Sequence, residues 1–229
     1  SVSDNIIIKA IKGLERIYEK NFDVNVHLSK NLPISSGMGG GSSNAATVIR
    51  CIHKLYNIET HKKLDNFLVS IGADVPFCFY GRSAIVSGLG EKLEYLKHDF
   101  ENYFVLLINP LKEISTEKIF EKLKSKYNKN NKTEIKVKKV SLDFLKNKKN
   151  HLEIHAIEEL KIIKRILDFT KNRTSSLLTR MTGSGATCFA IYRNTKDLRV
   201  AEGMLKSEFN KCWIQPTKLI NSINDINLV

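Results

Sequence analysis

Pro33-Ile34-Ser35-Ser36-Gly37-Met38-Gly39-Gly40-Gly41-Ser42-Ser43-Asn44-Ala45-Ala46 decides how the rest of the chain is read. Four glycines in five positions remove the side chains where a ligand approaches the backbone, and they permit positive φ. Ser42, Ser43 and Asn44 are residue types suited to capping a helix, and an apolar-periodic run starts at Ala45. A glycine turn feeding a helix start presents unpaired N–H groups and the positive end of the helix dipole, which together attract phosphate. Two familiar phosphate loops do not fit. The Walker form needs a lysine after its second glycine, and none lies between Lys30 and Lys54. The dinucleotide fingerprint nearly fits from Gly37 but ends on Ser42, and the preceding stretch alternates (Phe22, Val24, Val26 and Leu28 apolar) like a half-exposed antiparallel strand.

Composition sets the outer limits. The 229 residues suffice for one or two domains with a proper core, and 42% hydrophobic with 27% charged residues is ordinary for a globular protein. No apolar run reaches the ~20 residues that span a bilayer, and Lys9, Lys12 and Glu15 interrupt the first apolar positions, unlike a signal peptide. Cys51, Cys78, Cys188 and Cys212 show no Cys-x-x-Cys spacing and read as free thiols of a reducing, cytoplasmic compartment. The net charge of +13 invites nucleic acid, but eleven lysines between Glu121 and Asn150, set against three carboxylates, supply most of it. That Lys/Asn-rich stretch, around 124–149, lacks interleaved aromatics and reads as a solvated insertion, so neither nucleic acid nor a membrane is expected as partner.

In chain order, Ser3 or Asp4 caps a first helix whose stripe is Ile7, Ala10, Ile11, Leu14, Ile17 and Tyr18. A strand over 22–28 precedes the glycine loop, a helix over 43–56 follows it, and a shorter helix carries Leu64, Phe67, Leu68 and Ile71. Pro76 then pushes Val75 into an extended conformation, and Phe77 and Phe79 alternate into a strand. Asp74 therefore stands at a corner, and spacing alone favours turn or cap duty for it. A strand over 84–87 ends in Gly88-Leu89-Gly90-Glu91; Tyr103 to Ile108 is a buried central strand. A helix carries Ile119, Phe120 and Leu123, another runs from 152 to 169, and Met181-Thr182-Gly183-Ser184-Gly185-Ala186 turns between two strands before a last helix and strand. The order strand, helix, helix, strand, strand, helix, strand fits an α+β sandwich of split βαβ type. His151 and His155 share a helix spacing that could hold metal, but with no third ligand they read as a solvated face.

Three segments together resemble the GHMP kinases: Leu32-Pro33 with Gly39-Gly40-Gly41-Ser42-Ser43-Asn44-Ala45-Ala46, then Gly72-Ala73-Asp74-Val75-Pro76-Phe77, then Met181 to Ala186. Asp4-Asn5-Ile6-Ile7 and Gly88-Leu89-Gly90-Glu91 add to the likeness, which covers all but the lysine-rich insertion and is strongest for the branch acting on a cytidine-diphosphate-linked sugar alcohol. The resemblance implies a two-domain α+β fold, with a ribosomal-protein-S5-like ATP-binding domain over 1–100 and a ferredoxin-like split βαβ domain over 101–229. It implies ATP and Mg²⁺ as cofactors, a small-molecule acceptor, and a monomer or homodimer. It implies that Pro33, Ile34, Ser35, Ser36, Gly37, Met38, Gly39, Gly40, Gly41, Ser42 and Ser43 wrap the triphosphate, with Ser43 also toward Mg²⁺. Asp74 becomes the catalytic aspartate, which reverses the reading from spacing. Thr116, Phe120, Gly183, Ser184 and Gly185 become substrate contacts; for Phe120, core packing stands open beside cytosine stacking, because it is in phase with Ile119 and Leu123. The family's opening Pro-Ala-Lys-x-Asn segment, whose lysine works beside the aspartate, is not in the sequence, and Lys9 and Lys30 lie in no matching motif. The expectation is a form lacking the first strands, binding nucleotide weakly and turning over poorly or not at all. The alternatives are a homoserine- or mevalonate-type kinase, or a non-catalytic nucleotide-binding protein of the same fold.

Overall fold

The computed structural model describes residues 5–98, 100, 102–126 and 139–220. Ser3, Asp4 and much of the lysine-rich stretch thus lie outside the described residues. The described chain falls into two compact units, one with residues 5–29 and 39–97, the other with 30–38 and 98–220.

In the first unit Asn5 caps α1 (Ile6–Tyr18), its Oδ1 accepting the Ile7 N–H at 2.9 Å. The expected stripe turns inward: Ile7, Ala10 and Leu14 are buried. Gly13 lies on that helix because the Phe67 ring of α3 (Leu64–Ile71) covers the spot where a Cβ would stand. Between them in the chain comes α2 (Gly40–Leu55), which buries Ala45, Ile49 and Ile52. Its Arg50 reaches the last carbonyls of α4 (Val75–Tyr80), donating through Nη1 to Cys78 at 2.6 Å and Phe79 at 2.9 Å. A hairpin of β1 (Ala84–Ser87) and β2 (Lys92–Tyr95) completes the unit, paired antiparallel from Ala84↔Tyr95 to Ser87↔Lys92.

Two expectations fail in this unit, each for a physical reason. Residues 22–28 alternate as a strand should, but no described strand hydrogen-bonds to them. Phe22 is buried while Val26 and Leu28 are exposed. Alternation prepares a strand, but only a partner's ladder makes one. The stretch after Asp74 is helix rather than strand, because Pro76 falls in the first turn of α4, where its missing N–H removes no helical bond.

The second unit is built on an antiparallel sheet in the order β6-β7-β4-β8, made from β4 (Phe104–Asn109), β6 (Leu178–Met181), β7 (Cys188–Tyr192) and β8 (Trp213–Lys218). The central strand β4 pairs with β7 from Phe104↔Tyr192 and with β8 from Phe104↔Lys218. Helices α5 (Thr116–Lys126), α7 (Glu153–Glu159) and α8 (Ile162–Arg173) lie between β4 and β6 in the chain, and α9 (Thr195–Glu208) links β7 to β8. This is the split βαβ arrangement. The two-residue strands β3 (Lys97–His98) and β5 (Lys139–Val140) pair apart from the main sheet, and Ser141 caps the short α6 (Leu142–Lys146). Leu106, Ile108, Ile119, Ile163, Ile166 and Leu205 form the core between sheet and helices. The single helix expected over 152–169 breaks at Leu160, which is extended at φ −138° and ψ 90°, with no proline or glycine to mark it. His155 is only 3% exposed rather than on a solvated face, and His151 precedes α7.

Ile119 is fully buried, whereas Phe120 is 44% exposed. Leu106→Ala, which opens a cavity under the central strand, should therefore lower the free energy of unfolding by about 2–5 kcal/mol, and Phe120→Ala by under about 1 kcal/mol. Urea titration followed by circular dichroism separates the two.

Candidate active site

The glycine loop divides between the two units after Met38. On the first-unit side Gly39 occupies the N-cap of α2 in the left-handed conformation, φ 66°, with no side chain capping the helix. The helix thus begins three residues before the expected start, and Ser42, Ser43 and Asn44 lie inside its opening turns instead of capping it. The first hydrogen bond of the helix runs from Ser43 N–H to the Gly39 carbonyl at 2.9 Å, leaving the N–H groups of Gly40, Gly41 and Ser42 without intrahelical acceptors. No acidic residue stands in the first turn to answer the dipole. A Cβ built on Gly41 meets nothing within 4 Å, so the space beside this first turn is open.

Asp74 belongs to this group. It follows Gly72, the C-cap of α3, and sits at the N-cap position of α4, where an aspartate ordinarily accepts a backbone N–H. It makes no such side-chain bond. Its Oδ2 instead lies 3.9 Å from the position a Cβ would take on Gly39. The carboxylate is exposed and faces the start of α2, with no structural duty as a cap. Its charge is felt next door: burial, with Asp74 adding to it, pushes the Cys78 thiol pKa up. Behind Asp74, Gly90 (φ 109°) packs so tightly on the Ala73 carbonyl that any Cβ would overlap it, and the Glu91 carboxylate holds the turn through the Leu89 N–H at 2.6 Å. Those two backbone bonds, to Leu89 and to its own N–H, keep the Glu91 pKa below the usual carboxylate range.

On the second-unit side, Pro33 is half-buried, Ile34 and Ser35 are exposed, and Ser35 has φ 52°. Ser36 is buried, and its carbonyl accepts the Thr187 N–H at 3.3 Å. Gly37 and the turn through Gly183-Ser184-Gly185 meet backbone to backbone: a Cβ on Gly37 would overlap the Gly185 peptide, and one on Gly183 would stand 2.6 Å from the Gly37 carbonyl. Thr182 Oγ1 also donates to that carbonyl at 3.4 Å. Ser184 is buried with its Oγ 2.8 Å from Thr116 Oγ1, at the start of α5. Phe120, one turn further on, presents its ring outside the core.

Residues that sequence reasoning passed over hold this turn from beneath. Asn150 Nδ2 donates to the carbonyls of Met181 (3.0 Å) and Gly183 (2.8 Å), and Glu153 Oε2 accepts the Met181 N–H at 2.9 Å. Asn109 Nδ2 donates to Thr187 Oγ1 at 2.8 Å. The signal for Asn150 was local: its Oδ1 accepts the Leu152 N–H at 3.0 Å, the Asx turn that an asparagine ahead of a helix forms. Among the described residues no group of three or more His, Cys, Asp or Glu could hold a metal ion, and no helix is long and apolar enough to cross a membrane.

The family model for the GHMP kinases N terminal domain matches residues 5–82, and that for the GHMP kinases C terminal matches residues 143–211. A 4-diphosphocytidyl-2-C-methyl-D-erythritol kinase of Rhizobium etli (strain CIAT 652) is 34% identical over 222 residues, which cover 95% of this chain and 74% of that protein. One of Clostridium tetani (strain Massachusetts / E88) is 34% identical over 93% of this chain and 78% of its own length. Among solved structures, a 4-(cytidine 5'-diphospho)-2C-methyl-D-erythritol kinase superposes with a TM-score of 0.75 at 23% identity, covering 93% of this chain and 78% of that one. A homoserine kinase from Cytophaga hutchinsonii ATCC 33406 superposes with a TM-score of 0.74 at 14% identity, covering 97% and 78%. These two likenesses speak for the fold, and the relatives above 30% identity speak for descent: the chain belongs to the GHMP kinase family.

Proposed function

We propose that the chain transfers the γ-phosphoryl group of ATP to the 2-hydroxyl of 4-diphosphocytidyl-2-C-methyl-D-erythritol, a step in non-mevalonate isoprenoid precursor biosynthesis. The observation that carries the chemistry is the Asp74 carboxylate, relieved of capping and aimed at the start of α2. The choice of acceptor rests on the names of the relatives at 31–35% identity.

In this reading the open N–H groups of Gly40, Gly41 and Ser42, with the helix dipole behind them, hold phosphate oxygens and stabilise the charge they carry during transfer. Pro33 to Ser43 as a whole follow the triphosphate. Ser43 would offer a hydroxyl oxygen toward Mg²⁺, which takes one or two protein oxygens together with phosphate and water, and the ion bound with the triphosphate would supply charge neutralisation. Asp74 accepts the proton of the acceptor hydroxyl as its oxygen bonds to the γ-phosphorus and the bond to the ADP oxygen breaks, so the products are a phosphate monoester, ADP and a proton held on Asp74. Thr116 contacts the acceptor, Phe120 stacks its exposed ring on cytosine, and the Gly183-Ser184-Gly185 backbone contacts phosphate or acceptor. All four cysteines are free in the structure, in keeping with a cytoplasmic setting.

Single-turnover assays with labelled ATP and excess protein test the transfer. Label should pass to the cytidine-diphosphate acceptor and not to homoserine, mevalonate or galactose; transfer to one of those instead overturns the substrate assignment. Asp74→Asn should slow the transfer by about 10²–10⁴-fold while leaving Tm unchanged; an unchanged rate removes Asp74 from the chemistry. Mg·ATP at a hundred times its Kd should stabilise the protein by about 2.7 kcal/mol, read as a rise in Tm. Gly41→Leu, which fills the open space over the helix start, should abolish that rise.

A further inference from the structure

The second unit holds a cavity of about 690 Å³ with no part in the chemistry above. It opens between the chain around residues 146–151, α7, the end of α8 and β6. Five cationic side chains line it, Lys146, Lys148, Lys149, Lys171 and Arg180. Its one carboxylate, Glu153, is already bonded to the Met181 N–H. Lys146 is paired with Asp143 at 3.1 Å, and Lys148 lies over the Phe144 ring, 4.7 Å from its centroid. Lys149 and Lys171 have no partner among the described residues. Arg180 is half-buried and donates through Nη2 to the Leu145 carbonyl at 2.9 Å. Burial pushes its pKa down, with Glu153 alone opposing.

A convex lysine-rich face leaves each ammonium in water and needs no further explanation. Here the cations share the lining of a concavity with apolar Ile154, Ile157 and Leu178, and such a cleft concentrates the field of its charges. Hydrogen-bonding hydroxyls are also present: Ser176 and Thr179 line the cavity and are bonded to each other at 2.9 Å. No phenylalanine, tyrosine or tryptophan lines it, so it has no platform for stacking bases. The volume suits a small molecule.

We propose that this cavity is a second anion site of the chain, taking a small molecule that carries two or three linked phosphates. Arg180 supplies planar donors at its floor, and Lys149 and Lys171 supply the unpaired charge at its rim. Asn150 lines the cavity and also carries the carbonyls of Met181 and Gly183, so the bound anion lies one residue from the Gly183-Ser184-Gly185 turn.

The test is calorimetric titration of tripolyphosphate at fixed ionic strength into the Gly41→Leu protein, in which the α2 site is blocked. Saturable one-site binding is expected. Lys149→Gln with Lys171→Gln, both at exposed positions and harmless to the fold, should weaken it by about tenfold or more, and Arg180→Gln should weaken it further. Circular dichroism and Tm confirm that each variant is folded. Absence of saturable binding in the Gly41→Leu protein overturns the proposal. So does a Kd unmoved by the two lysine substitutions, or displacement of tripolyphosphate by an equal charge of oligothymidylate, which would mark an unspecific polyanion face.

Discussion

At three places in this chain two stretches of backbone meet closer than any side chain permits. Gly37 meets the Gly185 peptide, Gly183 meets the Gly37 carbonyl, and Gly90 meets the Ala73 carbonyl, each glycine at positive φ. Contact of this kind sets the loops close by backbone packing, and Thr182, Asn150 and Glu91 add side-chain hydrogen bonds to the same turns. The N–H groups of the α2 start and the Asp74 carboxylate take no part in those bonds. A loop held in place by its own hydrogen bonds would have fewer to offer a phosphate.

Asp74 shows how much depends on that separation of duties. Its carbonyl enters α4 as an ordinary helix start, accepting the Cys78 N–H at 3.0 Å, while its side chain abstains from capping. The corner is held from both ends. Arg50 of α2 grips the last carbonyls of α4, and the Gly88–Glu91 turn presses on Ala73 from behind. In the proposed transfer Asp74 takes up the acceptor's proton, and misplacing such a group by about an ångström costs about a hundredfold in rate, so bracing the residue before it is worth a turn whose glycine admits no substitution.

What the sequence made legible were features whose cause is local. The glycine run, the Gly-Ala-Asp-Val-Pro corner, the Thr-Gly-Ser-Gly-Ala turn and the α1 stripe each carry their own reason in consecutive residues. Most of the misreadings originate in distant partners or packing, and one in the local placement of a proline. Residues 22–28 have the alternation of a strand, yet no described strand lies alongside. Phe77 and Phe79 alternate by accident within α4, where Pro76 is harmless only because it falls in the first turn. The break at Leu160 is set by packing in the second unit's core, which Leu160 joins, and no local residue announces it. Asn150 escaped notice because its clients, Met181 and Gly183, lie some thirty residues downstream. Phe120 could not be placed from periodicity, since Ile119 beside it fits the same stripe and took the buried position.

The start of α2 illustrates why a site of this kind survives in a folded chain. Glycine as N-cap in place of serine or asparagine gives up a few tenths of a kcal/mol, and Gly40 and Gly41 inside the helix cost about 1 kcal/mol each relative to alanine. The deficit of about 2–2.5 kcal/mol would matter in an isolated helix. Here Ile49 and Ile52 on the same helix are almost fully buried, and each contributes about 1.5–3 kcal/mol by leaving water. Two residues on the inner face thus offset three glycines at the open end. The division also explains why the apolar pattern begins only at Ala45: the first turn is left to the phosphate proposed to bind there, and the turns after it hold the helix in place.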